Sequence, residues 1–182
     1  MYSVMARPRE KYWYALRIFK DMAQARSEFS RDRIQTFVPY RIEETVRGGV
    51  RYEEKPLIES LIFLKASERY IKEYWYNHLP HVMYYRDFST GEPGRIPDRE
   101  MDAFRRLAAP LDPGVEFFDA AAGPDFRKGE QVLITDGRFK GYKGWIFRIG
   151  KDRKVVVNVI DNFHFRLDIH PRFLQKLDSD AA

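Results

Sequence analysis

The stretch that most restricts what this chain can fold into runs from Lys128 to Ile146, KGEQVLITDGRFKGYKGWI. Val132 and Ile134 alternate with Gln131, Leu133 and Thr135, as in a strand whose two faces differ. Asp136-Gly137 reads as a turn. Gly141 and Gly144 bracket a second tight bend, with Lys140 and Lys143 beside it, and Trp145-Ile146-Phe147 opens a new strand. Two short strands joined by a glycine-rich basic loop enclose no large pocket. They present a loop to a partner.

Around this stretch only strands are expected: about 130–135, 144–149, 154–160 and 164–168, then a turn at Pro171 and a last strand near Leu174–Leu177. Five short strands in so little chain suit a small all-β barrel over 127–177, because closure removes exposed sheet edges. Just before it, Asp119 to Phe126 (DAAAGPDF) has little apolar bulk and reads as a linker over 119–126. Charge is uneven. From Arg127 to Leu177 there are twelve Lys/Arg against five Asp/Glu, whereas residues 1–118 hold twenty against eighteen. The barrel is the strongly basic part.

The earlier residues read differently. Residues 1–10 are polar and expected to fray. Tyr12 to Phe19 is aromatic and β-branched, hence a buried strand. Asp21 fits a helix N-cap with Gln24 as its capping-box partner, and Met22, Ala25 and Phe29 follow at helical spacing, so a helix is expected over 21–32. After a strand at 34–40 comes a long hairpin with Gly48-Gly49 at its tip, where both residues can take positive φ. Its arms carry Arg41, Arg47, Arg51 and Lys55 against Glu43, Glu44, Glu53 and Glu54, as in a solvated ribbon. Leu57 to Ala66 is the most apolar run and the expected central strand.

Ser67 is placed to cap a helix over 68–78, with Ile71 and Trp75 on one face, Tyr70 and Tyr74 on an adjacent one, and Pro80 ending it. A short strand at 81–86 and a loop at 88–95 follow. Pro97-Asp98 then starts a last helix with Met101, Phe104 and Leu107 inward. Residues 11–118 therefore read as an α+β domain, with helices packed on one antiparallel sheet.

Composition narrows the function. The formal net charge is +5 and the pI about 9.3, which favours an acidic partner. The absence of cysteine excludes disulfides, cysteine nucleophiles and thiolate metal sites. No apolar run approaches the ~20 residues needed to span a bilayer, and Met1 to Tyr14 does not read as a signal peptide. A cytoplasmic monomer is expected. His78 and His81 are separated by Pro80, which breaks the helix that would align them for a metal; a surface or subunit-contact role suits them better. No serine sits in a nucleophile elbow, no glycine-rich loop opens a helix, and the carboxylates lie in charge-mixed runs. No enzymatic activity, catalytic residue, cofactor or metal is expected. Trp13, Tyr14, Tyr70, Tyr74, Trp75 and Tyr76 are too many for one small core, and any left exposed would mark a protein interface. Lys140 and Lys143 are either a solvated turn or phosphate contacts.

Taken in order, these segments resemble the NusG family of transcription factors. KYWYALRIFKD at 11–21 is similar to the opening strand and turn of the family's N-terminal (NGN) domain. VPYRIEETVRGGVRYEEKPLIESLIFLKA at 38–66 is similar to its hairpin and the strand after it. LPHVMYYRD at 79–87 and IPDREMDAF at 96–104 match the later strand and last helix, and 128–147 matches the SH3-like KOW barrel. Housekeeping members carry an aromatic-Pro-Gly-Tyr signature where this chain has Ile58-Glu59-Ser60-Leu61. That departure, with IPDREM, is similar to the specialised UpxY-type paralogues of capsular-polysaccharide operons.

The resemblance implies a transcription antitermination factor. Its N-terminal domain would bind the clamp helices of the RNA polymerase β′ subunit through an apolar pocket holding Trp13, Ile58 and Leu61. Asn77 and His78 would face the β-subunit gate loop. Bridging both sides would hold the clamp closed and suppress pausing or termination. The KOW domain of relatives binds Rho or a small-subunit ribosomal protein; Val159 and Ile160 match that surface, while Asp161 departs from a basic residue. A charge at Trp13 or Ile58 is expected to abolish polymerase binding and leave the fold intact. A general elongation factor, and an RNA-binding or ribosome-associated KOW protein, are the alternative readings.

Overall fold

The structure, a computed structural model, describes residues 10–46, 48–109, 115–119, 129–149, 152–160 and 163–177. Contacts divide the chain into two compact units, Met1–Asp102 and Ala103–Ala182.

The first unit is built on a four-stranded antiparallel sheet. Its strands are β1 (Tyr12–Ile18), β2 (Gln35–Phe37), β5 (Leu61–Ala66) and β6 (Val82–Tyr84), in the order β2-β5-β1-β6. Helices α1 (Met22–Arg31) and α2 (Glu68–Asn77) supply its other core residues. β1 and β5 are central and buried on both faces, which explains why both read as apolar runs rather than as alternations. Tyr14, Leu16 and Ile18 of β1 join Ile62 and Leu64 of β5, Phe29 of α1 and Ile71 and Tyr74 of α2 in one cluster. Each such side chain removed from water contributes about 1.5–3 kcal/mol. The odd-numbered residues Trp13, Ala15, Leu61 and Phe63 occupy the opposite face of the sheet and are also buried.

Strands β3 (Tyr40–Thr45) and β4 (Arg51–Pro56) form a separate two-stranded ribbon. Gly48 and Gly49 have φ of 79° and 123° at its tip, the positive values expected of this turn. Ser67 caps α2, its hydroxyl accepting from the Tyr70 amide at 3.3 Å. Asp21 does not cap α1. It sits in the left-handed region at φ 56° with no side-chain cap bond, and Gln24 donates to Glu28 instead. The expected capping box fails because a left-handed Asp21 does not have the extended backbone an N-cap needs.

Helix α3 (Asp98–Ala108) begins in the first unit and buries Met101, Phe104 and Leu107, as its spacing predicts. The second unit is a six-stranded antiparallel sheet in the order β12-β8-β9-β10-β11-β7. Its strands are β7 (Val115–Asp119), β8 (Glu130–Ile134), β9 (Lys143–Ile149), β10 (Asp152–Ile160), β11 (Phe163–Leu167) and β12 (Leu174–Lys176). A 3-10 turn at Pro171–Phe173 precedes β12. β7 is the strand that sequence patterning missed. It pairs with β11 from Val115↔Leu167 to Asp119↔Phe163, and Phe104 packs its ring 5.9 Å from Phe163 and 5.2 Å from Phe165. Contacts group β7 with the second unit, and Asp119 is the last residue of that strand. The remainder of the expected linker, 120–126, lies outside the described residues. Among the described residues no ladder joins β7 to β12.

Gly144 does not bracket a bend. It lies within β9, where an added Cβ would stand 2.5 Å from the Val156 carbonyl oxygen and 2.9 Å from Val155 Cγ1. The bend itself is made by Gly137 at φ 79° and Gly141 at φ 90°.

Candidate functional site

Among the described residues, two concave surfaces of the first unit stand out. The smaller, a cleft of about 230 Å³, is walled by the end of β1, helix α1 and the turn after α2. Ile18, Ala25 and Val82 supply its apolar side, and Lys20, Gln24, Glu28, Asn77, His78 and His81 its polar one.

The wall arises from two facing rows with helical i, i+4 spacing. On α2 and the turn after it stand Tyr70, Tyr74 and His78; on α1 and the turn after it stand Gln24, Glu28 and Asp32. Tyr70 donates to Asp32 Oδ2 at 2.8 Å and Tyr74 to Glu28 Oε2 at 3.0 Å. His78 stacks on Tyr74 with ring centroids 4.0 Å apart. Its Nδ1 lies 2.8 Å from the Tyr74 carbonyl, which can only accept, so Nδ1 carries the proton. Nε2 is then aimed at Glu28 Oε2, 3.5 Å away.

These contacts set the protonation states. The Gln24 amide holds the Glu28 carboxyl below its ordinary range, against the opposing effect of burial and with help from Tyr74, His78 and Arg31. Burial first, and then the Glu28 hydrogen bond, push the Tyr74 phenol far upward; burial and Asp32 do the same for Tyr70. The cleft therefore presents an ionised carboxylate and neutral phenols that already satisfy one another. It offers hydrogen-bonding groups at fixed places, as a recognition surface does.

Asn77 and His78, singled out in the sequence, both line this cleft, and His81 joins them across the turn. Among the described residues no group of three or more histidine or acidic side chains is arranged to hold a metal. Helical spacing sets Ile71 and Trp75 on one face of α2 and Tyr70 and Tyr74 on an adjacent one, and burial does not follow either pair. Ile71 and Tyr74 are buried, and Trp75 is half-buried edge-on to Tyr84 at 5.3 Å. The signal that would have found the cleft is the matched i, i+4 spacing of phenols on one helix and carboxylates on the other.

The second surface is an open groove of about 570 Å³ lined by Arg17, Ile18, Phe19, Lys20, Asp21, Met22, Glu59 and Ser60. Arg17 donates from Nε to the Ser60 hydroxyl at 2.5 Å, and its guanidinium lies 5.5 Å from the Phe19 ring. Phe19, expected inside a buried strand, is 54% exposed, because β1 ends at Ile18. Ile58, half-buried, sits in the turn that feeds this groove, its carbonyl accepting from the Leu61 amide at 3.1 Å.

The three candidate clamp-pocket residues are not equivalent. Trp13 is 2% exposed and Leu61 is fully buried, so of the three only Ile58 reaches the surface. The Trp13 indole donates to Asp98 Oδ1 at 2.9 Å, and Lys65 pairs with the same carboxylate at 2.7 Å. A charge at Trp13 would be forced into the core, so such a variant does not leave the fold intact.

In the second unit Lys140 and Lys143 are exposed and belong to the turn and the first residue of β9. Arg138, their neighbour, has another use. Its guanidinium reaches the carbonyls of Arg106 and Ala109 at 3.4 and 3.3 Å, at the C-terminal end of α3. Ile160 is buried at the end of β10, whereas the side chain of Val159, and Asp161 as a whole, lie outside the described residues.

No protein-family model matches the chain. No curated protein matches it either. Among solved structures, the chain is similar to NusG of Thermotoga maritima, in a structure concerned with its domain interaction. The identity is 20%, over 93% of this chain and 98% of that one, with a TM-score of 0.46. It is also similar to a chain of the MjSpt4:Spt5 complex in conformation B, at 15% identity over 91% and 96% with a TM-score of 0.26. Both likenesses are weak, and the fold described above stands on its own pairings.

Proposed function

We infer that this chain is a NusG-type transcription factor that rides on elongating RNA polymerase and suppresses pausing or termination. We further assign it to the specialised class that serves polysaccharide-biosynthesis operons. The observation that carries the reading is the ordered set of segments at 11–21, 38–66, 79–87, 96–104 and 128–147, together with an α+β unit followed by an all-β sheet. In this reading residues 11–118 act as the polymerase-binding domain and 127–177 as the recruiting KOW domain. Ile58 contacts the β′ clamp helices directly, with Trp13 and Leu61 as the buried wall behind it. Asn77 and His78, on the rim of the cleft, meet the β-subunit gate loop. Val159 and Ile160 mark the surface for a small-subunit ribosomal protein or Rho. Function then follows from binding both sides of the polymerase cleft, a population shift rather than chemistry.

The test is transcription in vitro across a terminator, with and without the protein, on the chain's own upstream leader and on an unrelated template. Readthrough on the native leader alone is the expected result. Equal readthrough on both templates identifies a general elongation factor, and no effect on either overturns the reading. The exposure of Lys140 and Lys143 favours RNA contact by the KOW sheet as an accompanying role.

A further inference from the structure

The β3–β4 ribbon sorts its side chains by chemistry. Its register sets Tyr40 opposite Pro56, Ile42 opposite Glu54 and Glu44 opposite Tyr52, so these six share one face. Arg41 and Lys55, Glu43 and Glu53, and Arg51 share the other. Continuing the two-residue alternation to the tip puts Val46 and Val50 on the first face. Val46 and Tyr52 are each 72% exposed and Val50 59%. The cations described on the ribbon all fall on the second face, where Glu43 pairs with Arg41 and, at 2.6 Å, with Lys55. The first face is left with apolar and aromatic side chains and two carboxylates, Glu44 and Glu54. Among the described residues the ribbon pairs with no other strand. An exposed apolar face of this kind is what an interaction surface offers.

We propose that this face docks a basic, amphipathic segment of a partner protein. The segment's apolar side chains lie over Val46, Val50 and Tyr52, and its lysines or arginines meet Glu44 and Glu54. Charge decides among the occupants. Nucleic acid would bring phosphates against both carboxylates. A second copy, docking through the same face, would bring two more carboxylates to the contact and, among the described residues, no cation. A cationic, partly apolar peptide is the partner for which both the apolar and the acidic side chains are complementary. The proposal stands apart from the polymerase reading, since it needs only the ribbon.

The experiment uses the full chain and two fluorescein-labelled peptides, an alternating Leu-Lys repeat and its Leu-Glu counterpart, followed by anisotropy. The Leu-Lys peptide should bind and the Leu-Glu peptide should not. Tyr52→Ser, and the double variant Glu44→Lys with Glu54→Lys, should each weaken Leu-Lys binding about tenfold. The double variant should also gain binding to the Leu-Glu peptide. Glu53→Lys, the same charge change on the opposite face, should alter Leu-Lys binding by less than about twofold. Circular dichroism should be unchanged throughout, because every substituted side chain is exposed. The proposal is overturned if Glu53→Lys weakens binding as much as the double variant does. It is equally overturned if Tyr52→Ser abolishes binding of single-stranded or duplex nucleic acid, or self-association in sedimentation.

Discussion

The indole Nε1 of Trp13 donates to Oδ1 of Asp98 at 2.9 Å, tying the first residues of β1 to the first turn of α3. An indole has one donor and no acceptor, so a buried Trp needs such a partner. Replacing Trp13 with Ala should cost about 3–5 kcal/mol, the usual range for a large buried aromatic. Ile58→Glu, at a half-exposed turn, should cost no more than about 1 kcal/mol. Urea unfolding distinguishes them. If Ile58→Glu remains folded and still co-purifies with RNA polymerase, the assignment of Ile58 to the clamp contact is lost.

Glu28 makes stability depend on pH. Its folded pKa lies below its unfolded one, chiefly through the Gln24 amide, so in acid the unfolded chain binds more protons. The stabilisation is complete above the unfolded value of about 4.3 and is lost as pH falls through the lower folded value. Asp32, lowered mainly by Tyr70, adds in the same direction. The urea midpoint of the wild type should fall between about pH 5 and pH 3, and Glu28→Gln should flatten part of that fall. An unaltered pH profile in the variant would show that the Glu28 carboxyl carries no such linkage.

Gly144 and Gly137 should fail for different reasons. A Cβ at Gly144 meets backbone carbonyl oxygen at 2.5 Å, and backbone cannot rotate away. Gly144→Ala should therefore cost roughly 1–3 kcal/mol, the usual range for overpacking. At Gly137 an added Cβ meets nothing within 4 Å, but φ is 79°, so Gly137→Ala should cost about 1–2 kcal/mol from the backbone alone. Gly137→Asn should recover much of that, because Asn tolerates the left-handed region, and Gly144→Asn should be worse than Gly144→Ala. Thermal melts of the four variants check the pattern.

The basic residues of the glycine-rich loop should separate into two groups. Arg138→Ala removes a guanidinium from the end of α3 and should lower stability by about 1 kcal/mol. Lys140→Ala and Lys143→Ala should leave stability within about 0.5 kcal/mol. If these lysines touch RNA phosphates, each should reduce the slope of log affinity against log salt by about 0.7. Filter binding of a single-stranded RNA over a salt series measures this, and unchanged slopes would leave both lysines as a solvated turn.

Much was legible in the residues alone, and the legible features are those whose cause is local. The ribbon with Gly48 and Gly49 at its tip, the Ser67 cap and the inward face of α3 rest on backbone freedom, one hydrogen bond between residues three apart, or i, i+3 spacing. The strands from β8 to β12 follow from alternation and turn residues in the same way. What the tertiary structure alone decided depends on partners distant in sequence. β7 is a strand because β11 offers it a ladder, and nothing within Val115–Asp119 announces that pairing. Gly144 serves close packing against β10 rather than a bend. Asp21 gives up its cap because the chain enters α1 with a left-handed residue. Tyr74 is inside and Trp75 half out because α1 places Glu28 where a buried phenol finds its acceptor. Trp13 follows the same rule: its type and position suggested a contact surface, but Asp98 on a distant helix supplies the partner that lets an indole be buried. Local patterning determined which segments are strand, helix or turn. Long-range pairing determined which side chains remain free to meet anything else, because burial is a property of the assembled neighbours and not of the residue.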